Sequence, residues 1–244
     1  MTITSKSNPK VRQVRFLRDK KQRDETGLYL VEGTKPVLEA ISSGQAIEEI
    51  FATEKLSHMF PGCTEVSEEV FGSMSTEMNP QGVLATVHVP ETSLRAPRTS
   101  HCILLDGLQD PGNVGTVIRT ANAAGYREIY LADCADPFSP KAVRASMSGI
   151  FYVQVFPGPR KEILDALKGI PLVCADMKGE DVFLYKPPNR FCLCVGNEGN
   201  GLSEEVKSLS QSKISVPMDP SCESLNAAVS AGICMYILKH NMTR

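Results

Sequence analysis

From His101 onward, short apolar runs alternate with helical stretches, and no other feature restricts the fold of this chain as tightly. The runs are CILLD, EIYLAD, VQVF, PLVCAD, RFCLCVG and KISVPM. Helical patterns at 114–124, 140–150 and 160–168 lie between them, and a last one covers 224–239. That rhythm predicts an α/β unit, a mostly parallel sheet with helices on both faces. In such sheets ligands bind beyond the carboxyl ends of the strands. Function is therefore expected in the loops after ILLD, LCVG and SVPM.

The remainder of the 244 residues is enough for a second, smaller domain. LYLVEG, IEEIFA and GVLATVHV read as strands, and TKPVLEAISSG as a helix with proline near its first turn and glycine at its end. PETSLRAPRTS, with two prolines and few apolar residues, predicts a linker at 90–100 between domains at 1–89 and 101–244. Residues 1–23 hold eight Lys/Arg and one Asp, although the net charge of the chain is only −2. With Lys10, Arg12, Arg15 and Arg18 in it, this segment is either an arm that meets phosphate backbones or a solvated helix face.

No apolar run approaches the roughly 18 residues of a membrane span, and the basic N-terminus has no apolar core of a signal peptide. The eight cysteines form no Cys-x-x-Cys pair and the four histidines are scattered. Cys192 and Cys194 would share one face of a strand. Reduced core cysteines in a cytoplasmic protein, without a metal site, are the expectation.

In the first loop, DGLQDPGNVGTVIRTANAAG, Asn113 is expected to cap a helix whose stripe is Val114, Val117, Ile118, Ala121 and Ala124, ending at Gly125. Arg119 lies off that stripe. Gly115, four residues earlier, is expected to clear space for it to fold back towards Asn113, the alternative being a solvent-facing arginine. The second loop, LCVGNEGNGLSEE, has three glycines around Asn197 and Glu198. Their order is not G-x-G-x-x-G and they follow a late strand, so a dinucleotide fold fits poorly. In the third, VPMDPSCESLNAAVSAGICMYIL, Ser224 can cap a helix of small residues, and Asn226 is a polar group that burial would oblige to hydrogen-bond.

Together PGNVGTVIRTA (111–121), VGNEGNGLS (195–203) and ISVPMDPSCESLNAA (214–228) resemble the three signature motifs of the SpoU (TrmH-like) RNA 2′-O-ribose methyltransferases of the SPOUT superfamily. SPKAVRASMSGIF (139–151) matches as well, while LYLVEGTKPVLEAI and NPQGVLATV resemble the small L30-like substrate-binding domain of many members. DPSC at 219–222 and the NAAVS sequence from Asn226 depart from the usual third motif. The resemblance implies S-adenosylmethionine as donor and a trefoil-knotted domain, which folding rules alone would not predict. It also implies a homodimer with its active site near the subunit interface. Carried over by position, Gly196, Val216 and Leu225 line the cofactor pocket, with Asn197 and Met218 beside them. Asn113, Arg119, Glu198, Ser224 and Asn226 occupy the catalytic positions, and Arg144 becomes an RNA-phosphate contact.

Arg119 is the proposed base of that family, yet an arginine side chain ordinarily keeps its proton. A charge-stabilising role, binding a phosphate and the developing 2′-oxyanion with Asn113 and Glu198 orienting it, suits the residue better. The expected substrate is structured RNA, 23S ribosomal RNA before tRNA because of the accessory domain. Two rivals remain: a catalytically inert SPOUT-fold RNA-binding protein, and an unrelated nucleotide-binding enzyme. Salt-sensitive RNA binding that weakens when 1–23 is deleted is the corresponding expectation for the basic segment.

Overall fold

The structure, a computed structural model, describes residues 2–242. Met1, at the tip of the expected arm, and Thr243 and Arg244, at the end of the expected second domain, lie outside the described residues. The first part runs α1 (Pro9–Phe16), α2 (Lys20–Thr26), β1 (Leu28–Glu32), α3 (Thr34–Ser42), β2 (Ile47–Thr53), α4 (Glu54–Ser57), β3 (Thr64–Val66), α5 (Glu68–Met74) and β4 (Val83–His88). Its sheet has the order β1-β4-β2-β3, antiparallel except for the β2–β3 pair.

The basic segment is not a free arm. Val11, Val14 and Leu17, spaced three apart, are fully buried against Leu30, Phe51, Val70 and Phe71. Several of its charges are already engaged. Lys6 pairs with Glu69 and Lys10 with Glu49, Lys20 and Lys21 pair with acids four residues on, and Arg18 donates to the carbonyls of Ser73 and Ser75. Deleting 1–23 would strip a core of about 1.5–3 kcal/mol per buried aliphatic side chain, so deletion cannot isolate an electrostatic role.

The second part runs β5 (His101–Asp106), α6 (Pro111–Ala124), β6 (Glu128–Ala132), α7 (Pro140–Ser146), β7 (Gln154–Gly158), α8 (Arg160–Ala166), β8 (Leu172–Asp181), β9 (Phe191–Gly196), α9 (Glu204–Leu209), β10 (Ser212–Ser215) and α10 (Ala227–Met242). The six strands form one sheet, β10-β8-β9-β5-β6-β7, and every neighbouring pair is parallel. Alternate residues of the apolar runs serve two cores. Ile103, Leu105, Ile129, Leu193 and Val195 pack with α6 and α10, and Leu104, Tyr130, Phe156 and the four cysteines 102, 174, 192 and 194 pack with Ile163 of α8 and Val206 of α9. All eight cysteines are free, and burial pushes the Cys192 thiol well up from its usual range. Among the described residues no cluster of His, Cys, Asp and Glu could hold a metal ion.

Residues 90–100 form no helix or strand but are fastened to the first residue of β6. Glu128, buried, accepts hydrogen bonds from Arg95 Nη1 (2.6 Å), the Arg98 and Thr99 amides and Thr99 Oγ1. Burial opposes its charge, but these donors outweigh burial and hold the carboxyl below its ordinary range. The two parts also meet at Arg23, only 4% exposed. Its Nη2 lies 2.6 Å from Asp136 Oδ2, its Nη1 donates to the Leu17 and Arg18 carbonyls, and Tyr29 packs on Phe138 beside them.

Three expected helix boundaries shift. Asp110, not Asn113, caps α6: its Oδ1 accepts from Gly112 N at 2.8 Å, and Pro111 takes the first helical position. Asn226, not Ser224, caps α10, accepting from Ala228 N at 2.9 Å and Val229 N at 3.3 Å. The helix expected over 140–150 stops at Ser146, because Met147 and Ser148 take left-handed φ of 46° and 65°. The chain then turns so that Gly149 lies on the α6 backbone, where a Cβ would come within 3.0 Å of Arg119 Cα.

Candidate active site

Asn113, Glu198 and Asn226 come from three separate motifs and form one chain of hydrogen bonds. Asn113 Nδ2 donates to Glu198 Oε1 at 2.7 Å, and Asn226 Nδ2 donates to Asn113 Oδ1 at 3.1 Å. Because Asp110 caps the helix, Asn113 sits inside the first turn of α6 and both ends of its amide are free for this relay. Asn226 caps α10 with its oxygen and spends its nitrogen on Asn113, so the amide is satisfied although it is exposed rather than buried.

Glu198 rides on a closed hairpin. Asn197 and Gly201 exchange two backbone hydrogen bonds of 2.9 Å, and Asn197 Oδ1 accepts from the Gly199 and Asn200 amides. Gly201 has a left-handed φ of 67°, and Gly196 lies so close to the returning strand that a Cβ would fall 2.2 Å from the Gly201 carbonyl carbon. This is why the glycines of the second loop do not follow a phosphate-binding order: two of them close a hairpin.

Beside the hairpin opens a cleft of about 720 Å³, within the usual range for small-molecule sites. It contains Gly196, Asn197, Glu198, Val216, Met218, Ser224 and Leu225, so every residue expected at the cofactor pocket lines it. The lining combines the 196–201 loop and apolar Val195, Leu202, Ile214 and Ala227 with charged Asp176, Lys207, Lys213 and Glu223, a chemistry that fits an apolar ring and a zwitterionic chain. A second cleft of about 810 Å³ lies in the first part, between the start of α1 and Gly62–Glu65, and holds none of the motif residues.

Arg119 stands outside the cleft lining, roughly 9 Å along the helix axis from Asn113. It is exposed and, among the described residues, makes no hydrogen bond or ion pair. Gly115 does not clear space for it. A Cβ at 115 would lie 2.2 Å from the Ala142 carbonyl oxygen and 2.7 Å from Ala145 Cβ, so that glycine serves the close crossing of α7. Lys141 of α7 donates to Asp110 Oδ1 at 2.6 Å, and this bond, with the Gly112 amide, holds the Asp110 carboxyl below its usual range. Arg144, on the same helix, is also exposed and makes no hydrogen bond or ion pair among the described residues, though its charge acts on the Glu77 carboxyl of the first part. Lys10 and Arg18 are engaged within the first part, whereas Arg12 lies 5.9 Å over the Phe16 ring and Arg15 has no partner there.

Sequence reasoning missed Asp106 and Arg160, whose ion pair lies directly behind the hairpin (Arg160 Nε to Asp106 Oδ1, 2.7 Å). A lone Asp at the end of a strand carries no local signal for a partner 54 positions away.

Residues 100–236 match the SpoU rRNA methylase family and residues 8–85 match the MRM3-like substrate-binding domain. Over 97% of its length the chain is 34% identical to 98% of the 23S rRNA (guanosine(2553)-2′-O)-methyltransferase RlmP of Bacillus subtilis. Among solved structures it resembles an AdoMet-bound rRNA methyltransferase from Sinorhizobium meliloti, with a TM-score of 0.88 and 28% identity over 99% of this chain and 98% of that one. It also resembles AviRb from Streptomyces viridochromogenes in complex with AdoMet, with a TM-score of 0.85 and 26% identity over 97% and 98% of the two chains.

Proposed function

The chain belongs to the SpoU rRNA methylase family, and we propose that it methylates one ribose 2′-hydroxyl of 23S ribosomal RNA. The reaction class is that of the family, S-adenosylmethionine-dependent RNA 2′-O-methylation. The observation that carries the reading is the Asn226–Asn113–Glu198 relay, whose Glu198 lines the same cleft as Gly196, Val216 and Leu225, with Asn113 and Asn226 standing behind it outside the lining. An inert RNA-binding relative would have no need to keep that relay and a free Arg119 together.

When bound, S-adenosylmethionine supplies an electrophilic methyl group on a cationic sulfur. Gly196, Asn197, Val216, Met218 and Leu225, which line the cleft, would hold it. Transfer would join the 2′-oxygen to the methyl carbon as the carbon–sulfur bond breaks, with the hydroxyl proton released to water at the exposed side of the site. Alignment of the 2′-oxygen contributes at most about 7–11 kcal/mol of the acceleration. Arg119 is the fixed positive charge: with no internal partner, its N–H donors are available to the reacting oxygen and an adjacent phosphate. Glu198, Asn113 and Asn226 orient the ribose, and Ser224 lines the cleft together with Glu198.

Arg144, Arg12 and Arg15 offer guanidinium groups free of ion pairs among the described residues, and we assign RNA-phosphate binding to them. Lys10 and Arg18 contribute only by exchanging their present partners. Replacing Arg12 and Arg15 with alanine should reduce the slope of log affinity against log salt by about 0.7–0.9 for each phosphate that is no longer neutralised. An unchanged slope in filter binding would remove α1 from recognition.

A homodimer is part of the reading. Val229 and Tyr236, 51% and 53% exposed, stand seven residues apart on the outer face of α10, an apolar surface suited to a second copy. Among the described residues no helix is long and apolar enough to cross a membrane, and the free cysteines suit the reducing cytoplasm. The test of the substrate is methyl incorporation into deproteinised 23S rRNA, 16S rRNA and tRNA offered separately. Incorporation into 23S rRNA alone is expected; incorporation into tRNA alone would contradict the assignment.

A further inference from the structure

Asp106 closes β5 and is 2% exposed, the deepest carboxylate at this end of the sheet. A buried acid is destabilising unless both oxygens are matched. Here Oδ1 accepts from Arg160 Nε at 2.7 Å, and Oδ2 accepts from the backbone amide of Ser203 at 2.7 Å. Ser203 ends the segment that begins at Asn197. The other end of that segment is tied to the next residue of β5, since Asn197 Nδ2 donates to the Gly107 carbonyl at 2.8 Å. Both feet of the Glu198 hairpin therefore stand on two consecutive residues. Arg160 is itself fixed from a second strand end, its Nη1 lying 3.1 Å from Asp133 Oδ2.

We propose that Asp106, braced by Arg160, is a positioning residue for methyl transfer: its carboxylate sets the hairpin that aims Glu198 at Asn113 and forms one wall of the cleft. This rests on the methyl-transfer reading above. The chemistry requires a carboxylate. An asparagine side chain has one acceptor oxygen, so in Asp106→Asn the amide NH₂ must face either Arg160 Nε–H or Ser203 N–H, donor against donor. Either orientation breaks the joint: facing Ser203, the amide loosens the hairpin foot directly, and facing Arg160, it removes the brace that holds the side chain in place.

The experiment measures S-adenosylmethionine binding by calorimetry, methyl-transfer kinetics, and RNA affinity for the full-length wild type and Asp106→Asn. In the variant the Kd and KM for S-adenosylmethionine should rise about tenfold and kcat should fall about 10- to 100-fold, the scale of a small misplacement, with RNA affinity unchanged. Arg160→Lys provides an independent route, because lysine keeps a positive charge beside Asp106 and Asp133 but loses the Nε–H that braces Oδ1. It should reproduce the rise in Kd, including where Asp106→Asn fails to fold. Wild-type Kd and kcat in a folded variant of either kind would overturn the proposal, as would an equal loss of RNA affinity, which marks general loosening. Wild-type protein that binds no S-adenosylmethionine would overturn the methyl-transfer reading itself, whereas normal wild-type binding with unaffected variants overturns only the role of Asp106.

Discussion

Replacing Arg119 with alanine is expected to lower kcat about 10²- to 10³-fold, the usual effect of removing one donor to a developing oxyanion. The same variant should melt within about 2 °C of wild type, because surface substitutions away from packed or paired groups change stability by about 0.5 kcal/mol or less. This separation of activity from stability follows from position: Arg119 is exposed and, among the described residues, unpaired, and the buried stripe of α6 does not include it. Arg119→Lys divides the two chemical roles. Lysine retains the charge but not the planar fork that reaches oxygen and phosphate together, so a partial rate that is flat through neutral pH is expected. A rate in Arg119→Lys that climbs with pH to the wild-type level would assign the position to a base. Single-turnover kinetics under saturating cofactor read all three proteins.

The second large effect falls on stability. Arg23→Met leaves Asp136 without its cation and the Leu17 and Arg18 carbonyls without their donor at the seam between the two parts. Removing one member of a buried pair is destabilising by about 3–5 kcal/mol. Urea unfolding should show that loss as a lower midpoint, and a change under about 1 kcal/mol would contradict the assignment. The double variant Arg23→Met with Asp136→Leu should recover much of the loss, because it removes both charges rather than orphaning one. Weaker coupling between the parts should also reduce methylation of long RNA more than S-adenosylmethionine binding, since only the former spans the seam.

The parallel sheet was legible because its strands carry the signal residue by residue: ILLD, IYLA and FCLCV are buried on both faces, and no helix period fits them. Helix starts were less legible. Asp110, Asn113, Ser224 and Asn226 are all good caps by type, and only the proline after Asp110 marks the correct one for α6. The Val11, Val14 and Leu17 stripe was present in the basic segment but was masked by eight positive charges that suggest a solvated or RNA-facing arm. Gly115 invites an explanation from its neighbours in sequence, whereas its reason lies across space, at Ala142 and Ala145. The relay of Asn113, Glu198 and Asn226 spans separations of 85 and 113 residues, which no local pattern reports. Motif resemblance brought those three residues together, and the fold supplies the physical reason.

The central claim is that this geometry places a methyl group on a ribose oxygen. The most direct measurement incubates the purified protein with 23S rRNA and methyl-labelled S-adenosylmethionine, digests the RNA to nucleosides and locates the label. A single 2′-O-methylnucleoside that disappears with Arg119→Ala is the predicted result. Label on a base, or a 2′-O-methylnucleoside formed at the wild-type rate by Arg119→Ala, would contradict the account.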